Sequence, residues 1–481
     1  KADGAGTSSI AFDEILPKMA TLTVVAENGT KADFAVLWDQ GAGTADDPFR
    51  IYTIEDLDKV GSGSYGWDTN KAYRLMKKLD FEDNNSYEEA SHSSSYTTGS
   101  GWNPIGNDSN KFTGTFDGND ATITHLYINR SESNYVGFFG YTGETASLTN
   151  LALEEATVTG GDYTGGFCGH NEGTIENSYS SGSVIGTGSH TGGFCGYGRG
   201  GTLKNSYSSG SVTGSYSTGG FCGYGRGGII ENNHSSATVT GTGDFTGGFL
   251  GYKYYGTVSN NYSSGRVTGT GNYTGGFCGR NENATIENCY STGTVTGKRD
   301  TGGFCGDNEG LSRGTIENCY STGSVTGEGD TGSFCGNNSE TIRNCYSSGD
   351  AIGKRGTGGF CGFNYNGTIE NCYSNGTATG EGETGGFCGS NTYGTIENCY
   401  SAGDVDVAGS NSSAGGFCGY NYGTIKNSYS TGSGNMSGGF CGYTSDDEKI
   451  TDCFWDTETS GKSSSDGGTG KTTSEMKTKS T

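Results

Sequence analysis

The sequence predicts an all-β fold, a right-handed parallel β-solenoid with three short strands per coil, about 27 residues per coil and a mixed N-terminal cap. Three observations carry that expectation. An F-x-G core, GFCG in most copies, recurs twelve times, with its phenylalanine at Phe138, Phe167, Phe194, Phe221, Phe249, Phe277, Phe304, Phe334, Phe360, Phe387, Phe417 and Phe440. Spacing stays between 23 and 30 residues, which is the length of one supersecondary unit and not a regularity that a globular domain imposes. The composition is that of a narrow core: 92 of 481 residues are glycine and only 30% are hydrophobic, yet 30 tyrosines, 22 phenylalanines and 16 cysteines recur at fixed places instead of scattering through low-complexity sequence.

Within a unit the order is constant. A GGFCG segment leads into a turn rich in Asn and Gly, then TIENCYS, a Ser-Gly or Thr-Gly turn, and SVTG. Each segment is short, alternates apolar with polar residues and carries β-branched or aromatic side chains, so each reads as a strand. Stacked coils pair every strand with its counterpart one repeat away, in parallel, at about 4.8 Å per coil. The twelve phenylalanines form the expected core ladder, joined by Ile175, Ile286, Ile316 and Ile396 and by Val184, Val212, Val295 and Val325. Glycine and asparagine are expected at corners that need positive φ, and all three prolines (Pro17, Pro48, Pro104) precede the repeats, as strands interior to a sheet require.

The chain divides accordingly. Residues 1–42 read as an N-terminal β-hairpin or extension, with strands from Leu22 to Ala26 and Phe34 to Trp38 around an Asn28-Gly29 turn, after a looser stretch holding Ile10, Phe12, Ile15 and Leu16. Residues 43–136 read as a cap with the first coils. In it Thr53 and Asp56 suggest a capping box ahead of Ile54, Leu57 and Val60, and longer irregular strands are expected at 72–80 and 112–128. The repeats occupy 137–455, and 456–481, rich in Ser, Thr, Lys and Gly, reads as an extended strap or linker.

Stretches such as GGFCGSNTYGTIENCYSAGDV (385–405) and GGFCGRNENATIENCYSTGTVTG (275–297) resemble the GLUG motif of bacterial and archaeal surface proteins. The flanks 43–60, 112–129 and 453–476 are similar to segments that accompany such repeats, so the resemblance spans roughly residues 40 to 476. It implies a β-solenoid on adhesin-like, non-enzymatic surface proteins, at an extracellular or cell-surface location. Cysteine at the GFCG position departs from the small aliphatic residue more usual there.

Charge narrows the partners. Fifty-three acidic against 29 basic residues give −24, which disfavours nucleic acid and anionic lipid. No apolar run is long enough to span a bilayer, and the first residues lack a signal-peptide profile, so the chain reads as a mature soluble fragment. The expected partners are other copies of the chain, in a fibre built by head-to-tail stacking or strand addition, and surface glycans. A carbohydrate-binding module or a solenoid-type polysaccharide-active enzyme is the alternative.

No catalytic or metal residue and no cofactor is assigned. The histidines are scattered, HExxH and GxSxG are missing, and Asp307, Asp330 and Glu328 fall in stretches that read as solvated turns. Six cysteines lie 10 to 14 residues after a GFCG cysteine, which suggests intra-coil disulfides Cys278–Cys289, Cys305–Cys319, Cys335–Cys345, Cys361–Cys372, Cys388–Cys399 and Cys441–Cys453; Cys168, Cys195, Cys222 and Cys418 have no partner in that scheme. A tyrosine column (Tyr179, Tyr207, Tyr262, Tyr290, Tyr320, Tyr346, Tyr373, Tyr400, Tyr429, with His234 and Phe454 as variants) reads as a stabilising ladder, or as an outward strip for sugars. Thr-x-Thr strands at 157–159, 238–240, 294–296 and 377–379 recur on one face but are interrupted by Arg266, Asp350 and Asp404. Among thirteen sequons, Asn129, Asn272, Asn366 and Asn411 are candidate glycosylation sites.

Overall fold

A computed structural model describes residues 19–25, 31–37, 40–88, 93–310, 314–408 and 413–478. From Phe49 onward the chain winds as a parallel β-solenoid of about fifteen turns, each strand pairing with its equivalent one coil away. One lane begins at Phe49–Ile51, runs through Thr285–Glu287 and Thr315–Glu317, and ends at Ile450–Thr451, fifteen strands in all. The GFCG lane has twelve strands, from Phe139–Thr142 to Cys441–Thr444.

Register follows chemistry: Cys278 lies over Cys305, Ile286 over Ile316, Tyr290 over Tyr320 and Val295 over Val325. A shift by one residue would turn the apolar set outward, so register is strongly specified. The predicted Phe, Ile and Val columns all point inward and are buried.

The coil is divided more finely than the three strands expected. A typical turn carries five strand segments, such as Thr274–Gly275, Cys278–Glu282, Thr285–Glu287, Tyr290–Ser291 and Val295–Thr296. In the early coils the last two fuse, as in Tyr179–Gly186 and Tyr207–Gly214.

At the repeated corner it is asparagine, of the two residues expected there, that takes the positive φ. The asparagine before each Cys-Tyr or Ser-Tyr step, such as Asn288 and Asn318, takes the left-handed conformation with φ of 54°. The glycines of GGFCG instead allow close approach: a Cβ on Gly276 would sit 2.0 Å from the Gly303 carbonyl oxygen. That closeness lets each phenylalanine carbonyl from Phe194 onward take two donors, as Phe304 O does from the N–H groups of Phe277 and Cys278.

Both ends are closed by the chain itself. At the start, helix Ile54–Asp58 buries Ile54 and Leu57, and Trp67 stacks on Phe49 at 4.7 Å. Thr53 caps the Asp56 N–H, but the Asp56 carboxylate accepts from Tyr52, so the predicted box closes one residue early. The strands expected to be long are short pieces, among them Ala72–Leu75, Thr115–Asp117 and Tyr127–Arg130. At the far end the tail folds back. Strand Thr469–Lys471 pairs with Phe454–Asp456, and Ser465 Oγ accepts the last GFCG-lane N–H groups, from Phe440 and Cys441. Before the solenoid, Met19–Val25 and Lys31–Leu37 pair antiparallel, while the Asn28-Gly29 turn, Ala26, Trp38 and residues 10–16 lie outside the described residues.

Candidate functional surfaces

The interior is a set of one-residue columns. From Phe167 to Phe440 the phenylalanine rings stack with centroids 4.7–4.9 Å apart, every ring fully buried. Beside them run two cysteine columns, and here the expected disulfides are corrected: all sixteen cysteines are free, buried thiols. Neither member of Cys278–Cys289, Cys305–Cys319, Cys335–Cys345, Cys361–Cys372, Cys388–Cys399 or Cys441–Cys453 is bonded. The reason is local geometry. The GFCG sulfurs from Cys222 onward donate to the carbonyl two residues ahead (Cys278 to Arg280, 3.1 Å) and the NCYS sulfurs to the carbonyl two residues back (Cys289 to Glu287, 3.1 Å). Successive thiols therefore contact their own column, as in Cys289 N–H to Cys319 Sγ at 3.4 Å, and burial pushes the terminal Cys453 thiol up to about 12.

A polar column went unseen in the sequence. Three residues after the GFCG cysteine, Asn171, Asn281, Asn308, Asn338, Asn364, Asn391 and Asn421, read as turn asparagines, are buried. The Asn281 amide donates to Asn308, Asn308 to Asn338, Asn338 to Asn364, Asn364 to Asn391 and Asn391 to Asn421, all at 2.8–2.9 Å. Its signal was available, since these asparagines repeat at the phenylalanine spacing. Upstream the column changes to Lys253, Gly225 and Gly198. Lys253 is fully buried, its ammonium donates to the Gly227 carbonyl at 2.7 Å, and its stem lies where a Gly225 side chain would stand. Burial pushes its pKa down to about 8.

The tyrosine column is half-buried. From Tyr179 to Tyr429, His234 included, rings stack at 4.4–5.2 Å with planes within 10° of parallel. Between these two ends each face is covered by the next ring, so inside the column only edges reach solvent. A pyranose needs an open face, and this column acts as a stabilising zipper. A second aromatic layer (Tyr141, His170, Tyr197, Tyr224, Tyr252) covers the outside of the GFCG lane and ends under the Arg280 guanidinium. His170 sits 4.0 Å from Tyr141, and burial pushes its pKa down to about 4.

The carboxylates differ from the solvated turns expected of them. Asp307 is fully buried, facing Arg280 at 3.6 Å, and Asp330 is buried against Arg355. Burial, with Asp330 adding to it, pushes Asp300 up to about 6. Glu328 is exposed, as expected. Of the sequon asparagines, Asn129 and Asn366 are exposed, Asn272 is half-buried with its N–H on Asp244, and Asn411 lies outside the described residues. The Thr-x-Thr face alternates buried and outward residues, with Ile352 and Asp406 in the outward row.

One recess of about 350 Å³ opens where the tyrosine stack ends. It is lined by Tyr429, Phe454, Thr431, Asp456, Thr473 and Lys477, beside Met476.

Six segments, 160–185, 270–296, 299–326, 354–379, 380–406 and 410–435, match the family model described as the GLUG motif. The chain is 35% identical over 188 residues to halomucin of Haloquadratum walsbyi, an alignment covering 37% of this chain and 2% of that protein. It is 34% identical over 144 residues to a protein named as a Gly-rich membrane protein of Evansella cellulosilytica, covering 28% of this chain and 15% of the relative. A crystal structure from Bacteroides ovatus, titled as an immunoglobulin A1 protease, superposes with a TM-score of 0.40 and 23% identity over 60% of this chain and 79% of that one. No helix among the described residues is long and apolar enough to cross a membrane.

Proposed function

The chain is a GLUG-motif repeat protein, and on that premise we propose that it serves as a non-catalytic structural or adhesive rod at the cell surface or outside the cell. The observation that carries this reading is the filling of the repeat coils by self-similar columns of Phe, Ile, Val, Cys and, from Asn281 onward, Asn, whose amides bond to one another. Such an interior provides length and stiffness: fifteen rungs at about 4.8 Å extend about 70 Å. The printed names of its relatives, a halomucin and a membrane protein, support a surface location.

Assembly follows from the ends. Because Ser465 and the strand Thr469–Lys471 occupy the terminal hydrogen-bonding groups, we favour a discrete rod over head-to-tail stacking through the C-terminal end. Negative-stain imaging with analytical ultracentrifugation tests this. Single rods about 70 Å long support it, and long uniform fibres overturn the closed-end reading.

A further inference from the structure

We propose that the recess at the C-terminal end of the tyrosine stack is a binding site for a single pyranose ring, held between Tyr429 and Phe454. The argument begins with an interruption. Nine consecutive steps of the column are ring-on-ring contacts, the last between Tyr400 and Tyr429 at 5.2 Å. Tyr429 and Phe454 are likewise register partners on adjacent rungs, but their rings make no stacking contact. Tyr429 accordingly shows the largest exposure of the stacked tyrosines, 38%. From Tyr207 to Tyr400 both ring faces are covered by neighbouring rings, and at the downstream end a face of Tyr429 opens toward solvent.

The opening is a built recess and not a flat patch. Its volume of about 350 Å³ lies at the lower end of the range for small-molecule sites, the size for one sugar ring and not for an extended chain. The walls have the two chemistries a hexose needs, apolar faces for its C–H side and a polar rim for its hydroxyls. Thr431, Lys477 and Thr473 line the recess as well, and the Thr473 hydroxyl donates to Asp456 Oδ2 at 2.8 Å. Asp456 is itself buried and fixed by the backbone N–H groups of Glu458 and Thr459, so the rim is preorganised. Lys471 lies 5.7 Å from the Phe454 centroid, on the ring face.

The site belongs to the folded-back tail and is independent of whether the rod is an adhesin or a spacer. The test is calorimetric titration of the full chain with the methyl glycosides of glucose, galactose, mannose and N-acetylglucosamine. At least one is expected to bind, with Tyr429→Leu weakening it by about tenfold through loss of the aromatic face. Tyr400→Leu, in the same column one rung away and outside the recess, should bind like the parent. Thr473→Val checks the polar rim and should weaken binding as well. Thermal melts of each variant confirm that the solenoid is intact. No binding of any of the four glycosides, or equal losses in the Tyr429 and Tyr400 variants, overturns the assignment. Rods seen by imaging in either case leave the proposed function standing.

Discussion

Removing one ring from the middle of the phenylalanine ladder should cost more than removing one from its end, and should divide the solenoid in two. Phe304 is fully buried, stacked on Phe277 at 4.8 Å and on Phe334 at 4.9 Å, with planes 3° apart on both sides. Truncating a buried phenylalanine to alanine costs about 3–5 kcal/mol, more where the surroundings cannot close on the void. Here they cannot, because the backbone rungs are held apart by hydrogen bonds such as Phe277 N to Phe304 O and Phe304 N to Phe334 O. Two stacking contacts of roughly 0.5–1.5 kcal/mol each disappear as well, which places Phe304→Ala at the upper end, about 5 kcal/mol. Phe440 stacks on Phe417 alone and has Gly468 on its other side, so Phe440→Ala should cost about 3 kcal/mol. Urea unfolding followed by far-ultraviolet circular dichroism reads both. In a solenoid each coil is coupled only to its neighbours, so the central variant should unfold in two separated transitions while the terminal one keeps a single, slightly shifted one. A central loss equal to or smaller than the terminal one would show that the ladder does not couple successive coils.

Three further outcomes are expected. Asn338→Ala leaves the Asn308 amide without its acceptor and the Asn364 oxygen without its donor, so it should destabilise by about 2–4 kcal/mol in the same assay; a loss near zero would mean that water or a shifted rung replaces both bonds. Titration with a chromogenic disulfide reagent should find sixteen reactive thiols in denaturant without reductant and almost none in the native rod, whereas a denatured count four or more short would restore some of the cross-coil disulfides. His170 should make the rod acid-sensitive. Its folded pKa of about 4 lies below the unfolded 6.5, so the unfolded chain binds the extra proton between those values; stability is fully present above pH 6.5 and falls toward pH 4, by at most about 3 kcal/mol. His170→Phe, which keeps the stack, should flatten that slope, and an unchanged pH profile would show that the ring titrates normally.

What the sequence shows and what it hides follow one physical distinction. Apolar columns are legible because burial demands an apolar residue at the same place in every coil, and Phe304, Ile316 and Val325 satisfy it. Polar columns are not, because asparagine in a glycine-rich stretch also satisfies a turn; only coordinates separate Asn308, fully buried and bonded along its column, from Asn318, which turns a corner at φ 54°. Strand count was underestimated because two-residue pieces such as Thr301–Gly302 are too short to alternate. The disulfide expectation failed for a related reason. Cysteines 11 residues apart can face across a coil, but spacing says nothing of sulfur direction, and the bonds from Cys278 to Arg280 and from Cys289 to Glu287 turn the two sulfurs onto separate columns. Of the surfaces, the tyrosine column was visible in the sequence, while its interruption at Phe454 was not, since both positions are aromatic and only ring placement distinguishes a stack from a gap.

Identical ladders raise a difficulty that their irregular members resolve. If every coil offered Phe, Cys, Ile and Val in the same places, a strand displaced by a whole coil would pair almost as well as the correct one, and apolar burial alone could not discriminate. The upstream coils break that degeneracy. Leu250 replaces cysteine between Cys222 and Cys278, and Lys253 enters the asparagine column where Gly225 leaves room for its stem and the Gly227 carbonyl receives its ammonium. Moved one coil onward, that lysine would meet the Asn281 side chain in place of glycine, and burying an uncompensated ammonium costs several kcal/mol. Its depressed pKa of about 8 is the trace of a desolvation penalty borne even in the correct register. A methionine at 253 would remove that penalty and raise stability. It would also remove a buried charge that marks which coil is which, so the refolded product should contain misregistered species, separable by size-exclusion chromatography, that the lysine form lacks.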